Sequence, residues 1–339
     1  MAYSSIAKPT DYFNTVLYAG SNSDQSITGV GFQPDWVWIK NRSSTPDHML
    51  NDVVRGAGKQ INSNTSTAEL DRTYFKSFDS DGFSLEGNVS DYNQNSSNFV
   101  GWSWLAGGSA SSNGDGATTA SVSVNTTSGI SIASVAGNST NFGHGLGVAP
   151  NVIIYKPTSA SGSWGFACDP LGMTSGYLGL NSTGAFASGS GFIDGTSSTL
   201  VTVGSNIANV TNIYYMFAEK KGFSKFGSYT GGSDPFVYLG FKPAFVLFKN
   251  ASATENWRIV DNKRDDDNPV VQHLYPNTSG AEGSGTSYSD FIDFLSNGFK
   301  IRSGSGEIDG SGNTIIYMAF AEAPFVANDS GTAVPVVAR

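Results

Sequence analysis

The chain has 339 residues, enough for two or three domains at roughly 150 residues each, with 14% charged residues, 12% aromatics and 41 glycines. Low charge, many glycines and short apolar runs make an all-β composition and exclude a long helical protein; the aromatic content excludes a disordered one. A net charge of −9 with no Lys/Arg run denser than Lys220-Lys221 and Lys225 excludes a basic nucleic-acid face. No apolar stretch approaches the roughly 20 residues of a membrane-spanning helix. Met1 to Phe13 has neither part of a secretory leader, and the single cysteine, Cys168, leaves no intrachain disulfide.

In chain order the predicted elements run through one pattern three times. Residues 1–11 are polar and aperiodic. Unit one, 12–105, opens on LYAGSNS (from Leu17) and continues with GVGFQPDWVWIKN (Gly29 to Asn41), HMLNDVVRG (from His48), the hairpin FDSDGFSLEG (from Phe78) and the aromatic strand NFVGWSWLAGG (from Asn98). Residues 106–117, AGGSASSNGDGA, read as a flexible Gly/Ser linker. Unit two, 118–219, repeats the order with SVAGNST, GLGVAPNVIIYKP (Gly145 to Pro157), WGFACDPLG, a weaker SGSGFIDG and NIYYMFAEKKG. Unit three, 222–325, has SYTGGSD, YLGFKPAFVLFKN (Tyr238 to Asn250), WRIVDNKRD, FLSNGFKIRSG and TIIYMAFAEAPF, and a tail follows at 326–339. Pro34, Pro150 and Pro243 fall in register, as do Lys40, Lys156 and Lys249.

Short strands with frequent turn signals predict a sandwich within each unit. GISIASVAG alternates, placing Ile130, Ile132 and Ser134 on one face. WVWIK, VIIYK and FVLFK are apolar throughout, as strands covered on both sides are. The expected fold is all-β: three tandem antiparallel, jelly-roll-like β-sandwiches of about 100 residues each. The last two pack together, and the first swings on the linker.

The residues offer little for catalysis. Asp79-Ser80-Asp81-Gly82 lacks the helices and later ligands of a calcium loop and reads as a hairpin turn with Asp-Gly at its centre. Arg264 to Asn268 is the densest acidic stretch; it reads as a solvated loop, and if the chain holds calcium, Asp265 and Asp267 are the first ligands to consider. Three histidines, His48, His144 and His273, lie at unrelated places in their units, and Cys168 reads as a small core residue. Sequons such as Asn64-Thr65-Ser66 read as products of composition. No nucleophile elbow, phosphate loop or facing carboxylate pair is visible, so no enzyme and no cofactor is expected. Six tryptophans remain. Trp36 and Trp38 share a strand face, as do Trp102 and Trp104, and with Trp164 and Trp257 they are candidates for stacking on a ligand or another subunit, the alternative being core.

The GFxPxWVxIK block, the FDSDGF hairpin, the close Trp102 to Gly108 and the segment Tyr317 to Phe325 resemble a repeat-containing structural protein of marine and freshwater tailed bacteriophages, of tail-fibre or receptor-binding type. The resemblance spans about residues 10 to 326; unit two lacks the DSDGF carboxylates, and Leu105 replaces a more usual Lys. It implies a virion protein of the tail, assembled in the host cytoplasm as a homotrimer. Its implied partners are other virion proteins and a host surface glycan or other receptor. In that setting residues 1–11 are expected to anchor the chain to the virion through Tyr3, Ile6 and Pro9. The alternatives are a capsid or tail decoration protein, and a glycan depolymerase.

Overall fold

The computed structural model describes residues 4, 6–137, 139–189, 191–232, 234–284, 291–303, 305–329 and 332–335. The protein is all-β, built of antiparallel sheets, and among the described residues its only helical pieces are three short turns, Pro9–Asp11, Asp169–Leu171 and Gly306–Asp309.

Each unit pairs a large sheet with a small one. In unit one the large sheet orders Phe13–Ala19, Asn98–Trp104, Trp36–Asn41, Met49–Asp52, Lys59–Asn62 and Leu70–Asp71; the small one orders Gln25–Thr28, Gly82–Leu85 and Phe75–Asp79. In unit two Val152–Pro157 lies between Asn212–Phe217 and Gly165–Cys168, and in unit three Phe241–Asn250 lies between Thr314–Pro324 and Trp257–Asp261, as Trp36–Asn41 does in unit one. The small sheets are Asn141–Gly143, Leu200–Val203 and Ile193–Thr196 in unit two, and Phe236–Tyr238, Gly298–Ser303 and Phe291–Leu295 in unit three.

Each unit closes its own core between its two sheets: Val37, Phe83 and Phe99 in unit one, Phe142, Ile153 and Tyr214 in unit two, and Val246, Phe248 and Phe299 in unit three. The other faces of the three large sheets turn toward one another and form a fourth core shared by all units. Trp104, Phe217 and Phe320 stand in the same register and meet there, Phe320 lying 5.7 Å from Trp104 and 6.0 Å from Phe217 between ring centroids. Trp36 stacks on Trp104 at 4.3 Å and on Tyr215 of unit two at 4.6 Å. This explains why WVWIK and its counterparts are apolar throughout: alternate residues enter the unit's own core and the shared one. The alternation read in Ile130–Val135 holds, but both of its faces are covered. Ile130 and Ile132 enter the shared core, while Ala133 and Val135 enter unit two's own.

The units close a ring, one to two to three to one. Two residues after each repeated lysine, a carbonyl receives the same cross-unit bond: Glu69 N–H donates to Thr158 at 2.9 Å, Phe186 to Ala251 at 2.8 Å and Glu282 to Arg42 at 3.0 Å. A second set recurs within the units: Asn64, Asn181 and Asn277 accept from the backbone N–H of His48, Trp164 and Trp257 at 3.0, 3.1 and 3.0 Å. Thus Asn64-Thr65-Ser66 belongs to a threefold structural motif, and His48 takes the register of two tryptophans. Trp164 and Trp257 extend across the seams, donating Nε1–H to the carbonyls of Asn62 at 2.8 Å and Gly179 at 2.9 Å.

Two seams are ionic and one is apolar, at equivalent positions. Between units one and two, Asp52 and Arg55 pair at 2.6 Å, Glu69 lies 3.3 Å from Arg55, and the Tyr215 hydroxyl donates to Asp52 at 2.7 Å. Between units three and one, Asp261 and Arg264 pair at 2.6 Å, Glu282 lies 3.1 Å from Arg264, and Trp102 donates to Asp261 at 3.0 Å. At the seam of units two and three the same register holds Cys168, Leu171, Phe186 and Met318, all in or against the shared core. Burial pushes the Cys168 thiol up to about 12, which leaves it an inert core residue.

These contacts correct several expectations. The first unit does not swing, because it contributes Trp36, Trp38, Trp102 and Trp104 to the shared core. Residues 106–117 are not a free linker: Ala106 is buried, Gly107 and Gly108 donate to Ser123 and Asp35, both at 3.0 Å, and Ser111–Asn113 pairs with Ala120–Asn125 as a strand of unit two. The hairpin turns are centred one residue earlier than read. Asp79 pairs with Gly82 and Leu295 with Gly298, so Ser80-Asp81 and Ser296-Asn297 form the turns. The glycines serve the neighbouring strand instead: a Cβ would lie 1.9 Å from the Ile27 carbonyl oxygen at Gly82 and 2.0 Å from that of Val237 at Gly298.

Lys40, Lys156 and Lys249 are fully buried, and each ammonium donates to backbone carbonyls. Lys156 reaches Pro157 at 2.9 Å and Ser66 of unit one at 3.4 Å; Lys249 reaches Glu255 at 2.7 Å and Thr183 of unit two at 3.0 Å. Burial lowers each lysine from 10.5 to about 8. Between those values the unfolded chain holds more protons than the folded one, so stability rises with pH from about 8. Buried tyrosines such as Tyr92, Tyr155 and Tyr215 are raised above 10, chiefly by desolvation, so stability falls once the unfolded tyrosines ionise. His48, buried and lowered below 6.5 by desolvation, costs stability as pH falls through the unfolded value. Thermal unfolding followed from pH 5 to 11 is therefore expected to give the highest midpoint near pH 10; a midpoint already falling from pH 8 would contradict the lysine assignment.

Candidate functional site

The structure takes the predicted site residues away from the surface. Trp36, Trp38, Trp102, Trp104, Trp164 and Trp257 are each at most 1% exposed and all lie in the shared core. None is available to stack on a ligand or on another chain, because the inner faces of the large sheets pack on one another. Of the expected anchor, Tyr3 lies outside the described residues, whereas Ile6 is 3% exposed in the shared core and Pro9 is buried. Ser4 donates to the carbonyl of Lys221 at 3.1 Å, so Ser4, Ile6 and Pro9 are docked on their own chain. Asp265 accepts the backbone N–H groups of Val271 and Gln272 at 2.7 and 2.6 Å, and Asp267 is exposed. Among the described residues no group of three or more His, Cys, Asp or Glu side chains converges.

A different set of residues does converge. On unit one, a cavity of about 430 Å³ opens beside the edge of the large sheet, lined among others by Asp47, Gln60, Arg72, Tyr74, Asn88 and Asp91. Pairing positions the first wall: Gln60 faces Leu70, Lys59 faces Asp71, and Arg72 N–H donates to Gly58 at 2.8 Å. The second wall is the tight loop 88–91. Asn88 holds a left-handed φ of 56°, a conformation asparagine tolerates. Tyr92 and Asn93 N–H both donate to Val89, and Asn41 ties down the Ser90 carbonyl at 3.0 Å.

The groove has aromatic, amide, cationic and carboxylate groups at once. Tyr74 is half-buried, with the Arg72 guanidinium 5.8 Å from its ring centroid. Gln60 is 3% exposed; its Nε2 makes one long bond to Asn62 at 3.4 Å, and its Oε1 has no partner in the protein. An unpaired buried amide oxygen costs about 1–3 kcal/mol. Asp47 accepts from Asn64 at 2.6 Å and Asp91 from the Ser90 hydroxyl at 2.7 Å. Behind them the buried Lys40 ammonium is favoured by both carboxylates. Arg72 and Tyr74 also line a second concavity, of about 440 Å³, together with Gly58 and Asp71.

The other units carry related but altered versions. In unit two, Ser163 and Tyr177 occupy the register of Asp47 and Gln60 and line a cavity of about 440 Å³. In unit three Asn256 takes the register of Asp47 and donates to Glu307 on Gly306–Asp309 at 3.2 Å, His273 takes that of Gln60, and the neighbouring Arg258 pairs with the same Glu307 at 2.5 Å. Sequence reasoning missed this site because Gln60, Tyr74 and Asp91 share no motif. The available signal was the Asn64 repeat, which marks the strand edge where the groove forms.

No curated protein and no solved structure matches the chain. The family described as Domain of unknown function (DUF7483) matches residues 8–324, which takes in all three units and their shared core. The chain belongs to that family.

Proposed function

We propose that the protein is a non-enzymatic attachment protein of a tailed phage, of tail-fibre or receptor-binding type, that holds a host surface glycan in the groove of unit one. The observation that carries this reading is the half-buried Tyr74 beside Gln60, Arg72, Asp47 and Asp91 in one open groove. A sugar ring presents an apolar face and a rim of hydroxyls. Tyr74 matches the first, while the exposed Asn88 amide and the carboxylates match the second as acceptors and Arg72 as a donor. In this setting the partners are other tail proteins and the host glycan, the location is the virion, and assembly occurs in the host cytoplasm. No cofactor enters the reading.

A glycan array probed with the wild-type chain, Tyr74→Ala and Gln60→Leu tests it. Retention of a defined set of glycans, reduced at least tenfold by Tyr74→Ala, is the expected result; retention of none, or equal retention by all three proteins, overturns it in favour of a decoration protein. Asp47 and Asp91 in one groove favour a second reading as a glycan hydrolase. Release of reducing ends from the bound glycan, lost in Asp91→Asn, would replace binding with hydrolysis.

The threefold arrangement also bears on assembly. A chain that closes a threefold core within itself has no need of two further copies to build one. Light scattering is expected to give the 35.6 kDa of a single chain, and three times that mass would show the homotrimer instead.

A further inference from the structure

The outward face of unit three's small sheet differs from its counterpart in unit one in a way the fold does not require. Phe236 and Tyr238 point outward from the edge strand Phe236–Tyr238 and are 48% and 47% exposed. Lys300 is directly opposite Phe236 across the pairing, on the same face, and is exposed. In unit one the matching positions are Ser26, Thr28 and Ser84, and the two serines simply hydrogen-bond to each other at 2.9 Å. The same strands thus pair and cover the same kind of core with small neutral residues facing water. Scattered exposed apolar residues need no explanation, but these two rings are two residues apart, about 7 Å along one strand, and they are surrounded by cations.

Those cations come from separate parts of the chain. Lys225 lies 5.6 Å from the Tyr238 ring centroid and donates to its carbonyl at 2.8 Å. Lys221, Lys225 and Tyr238 line one concavity of about 540 Å³ beside the strand. Arg302 continues the row of Lys300 and pairs with Asp293. The carboxylate lining the concavity, Glu219, is turned to the backbone, accepting Phe226 N–H at 2.7 Å. The Lys220-Lys221 and Lys225 group, sparse in sequence, is joined by Lys300 in the fold. This happens in a chain whose net charge is −9; Asp293, directly opposite Lys300, is the acidic neighbour in this row and is held by Arg302.

We propose that this face binds an acidic polysaccharide, whose rings stack on Phe236 and Tyr238 while its carboxylates meet Lys221, Lys225 and Lys300. The aromatic pair fits the sugar and the lysines fit the acid. Nucleotides and nucleic acid fit less well, because a chain of this charge repels a dense phosphate polymer. The site is separate from the unit-one groove and stands without it.

The test uses the full chain with an oligogalacturonate and its methyl ester, which differ only in charge, followed by calorimetry at low and high NaCl. The acid form is expected to bind at least tenfold more tightly than the ester, and to weaken as salt screens the lysines. Phe236→Ala, Tyr238→Ala and Lys300→Gln should each reduce binding by fivefold or more while keeping the wild-type circular dichroism spectrum, because Phe236 and Tyr238 are about half exposed and Lys300 is exposed. Tyr74→Ala should leave it unchanged, which separates this site from the groove. Equal binding of acid and ester, absence of binding, or loss of binding in Tyr74→Ala overturns the proposal. Self-association that Phe236→Ala abolishes also overturns it, by assigning the face to a second copy of the chain.

Discussion

Replacing Arg264 with leucine is expected to destabilise the whole chain by about 3–5 kcal/mol, the usual cost of breaking one side of a buried ion pair. Asp261 and Arg264 are both fully buried, and the guanidinium also meets Glu282, the Ile259 carbonyl at 3.0 Å and the face of Trp102 at 5.5 Å. Leucine would leave the Asp261 charge in the core with only neutral donors around it. The protein supplies its own control at the apolar seam, where Cys168, Leu171, Phe186 and Met318 hold the same register. Arg42 also pairs with Glu282, at 2.8 Å, and Ala251 holds its register at the apolar seam. Transplanting that set as Asp261→Cys, Arg264→Leu, Glu282→Phe, Trp102→Met and Arg42→Ala together should recover at least half of the loss, because exchanging a whole buried ionic cluster for packed apolar groups is often neutral. Urea unfolding measures both. A single variant within about 1 kcal/mol of wild type would show that solvent reaches the pair.

Phe320→Ala should cost about 3–5 kcal/mol as a core truncation, and its effect should reach all three units. Phe320 touches Phe13 and Trp104 of unit one, Phe217 of unit two, and Phe223, Phe226 and Phe245 of its own unit, at 5.3 to 6.2 Å. Tryptophan fluorescence reports mainly on unit one, which holds four of the six tryptophans. That signal and far-ultraviolet circular dichroism are therefore expected to move together to lower urea in one transition. If fluorescence kept its wild-type midpoint while circular dichroism split into two steps, the units would be independent domains and the shared core would not govern stability.

Much of the fold is legible in the residues. The all-β class follows from glycine content and turn spacing, and the repeat from Pro34, Pro150 and Pro243 with Lys40, Lys156 and Lys249. Runs such as WVWIK already state that both faces are covered. What covers them is not stated, since a second unit of the same chain and a second sheet of the same unit make the same demand for apolar side chains. Hence Trp36 and Trp102 read equally as core or as exposed platform, and residues 106–117, flexible by composition, are held as a strand edge by Ser123 and Asp35. The candidate site was less legible still. Gln60, Tyr74 and Asp91 come from a strand edge, the following segment and a tight loop, and only sheet pairing and the left-handed Asn88 place them around one groove.

The sequence by itself determined the all-β class, the threefold repetition and the burial of the repeated strands, because these depend on local backbone preference and on side-chain periodicity. The tertiary structure decided how three similar units are arranged: in a closed ring, with two ionic seams, one apolar seam and a common aromatic core. It also decided which of many similar polar and aromatic residues remain in water. Both are long-range choices, set by which surfaces pack on one another, and the residues on those surfaces are of the same types as residues that face solvent elsewhere in the chain.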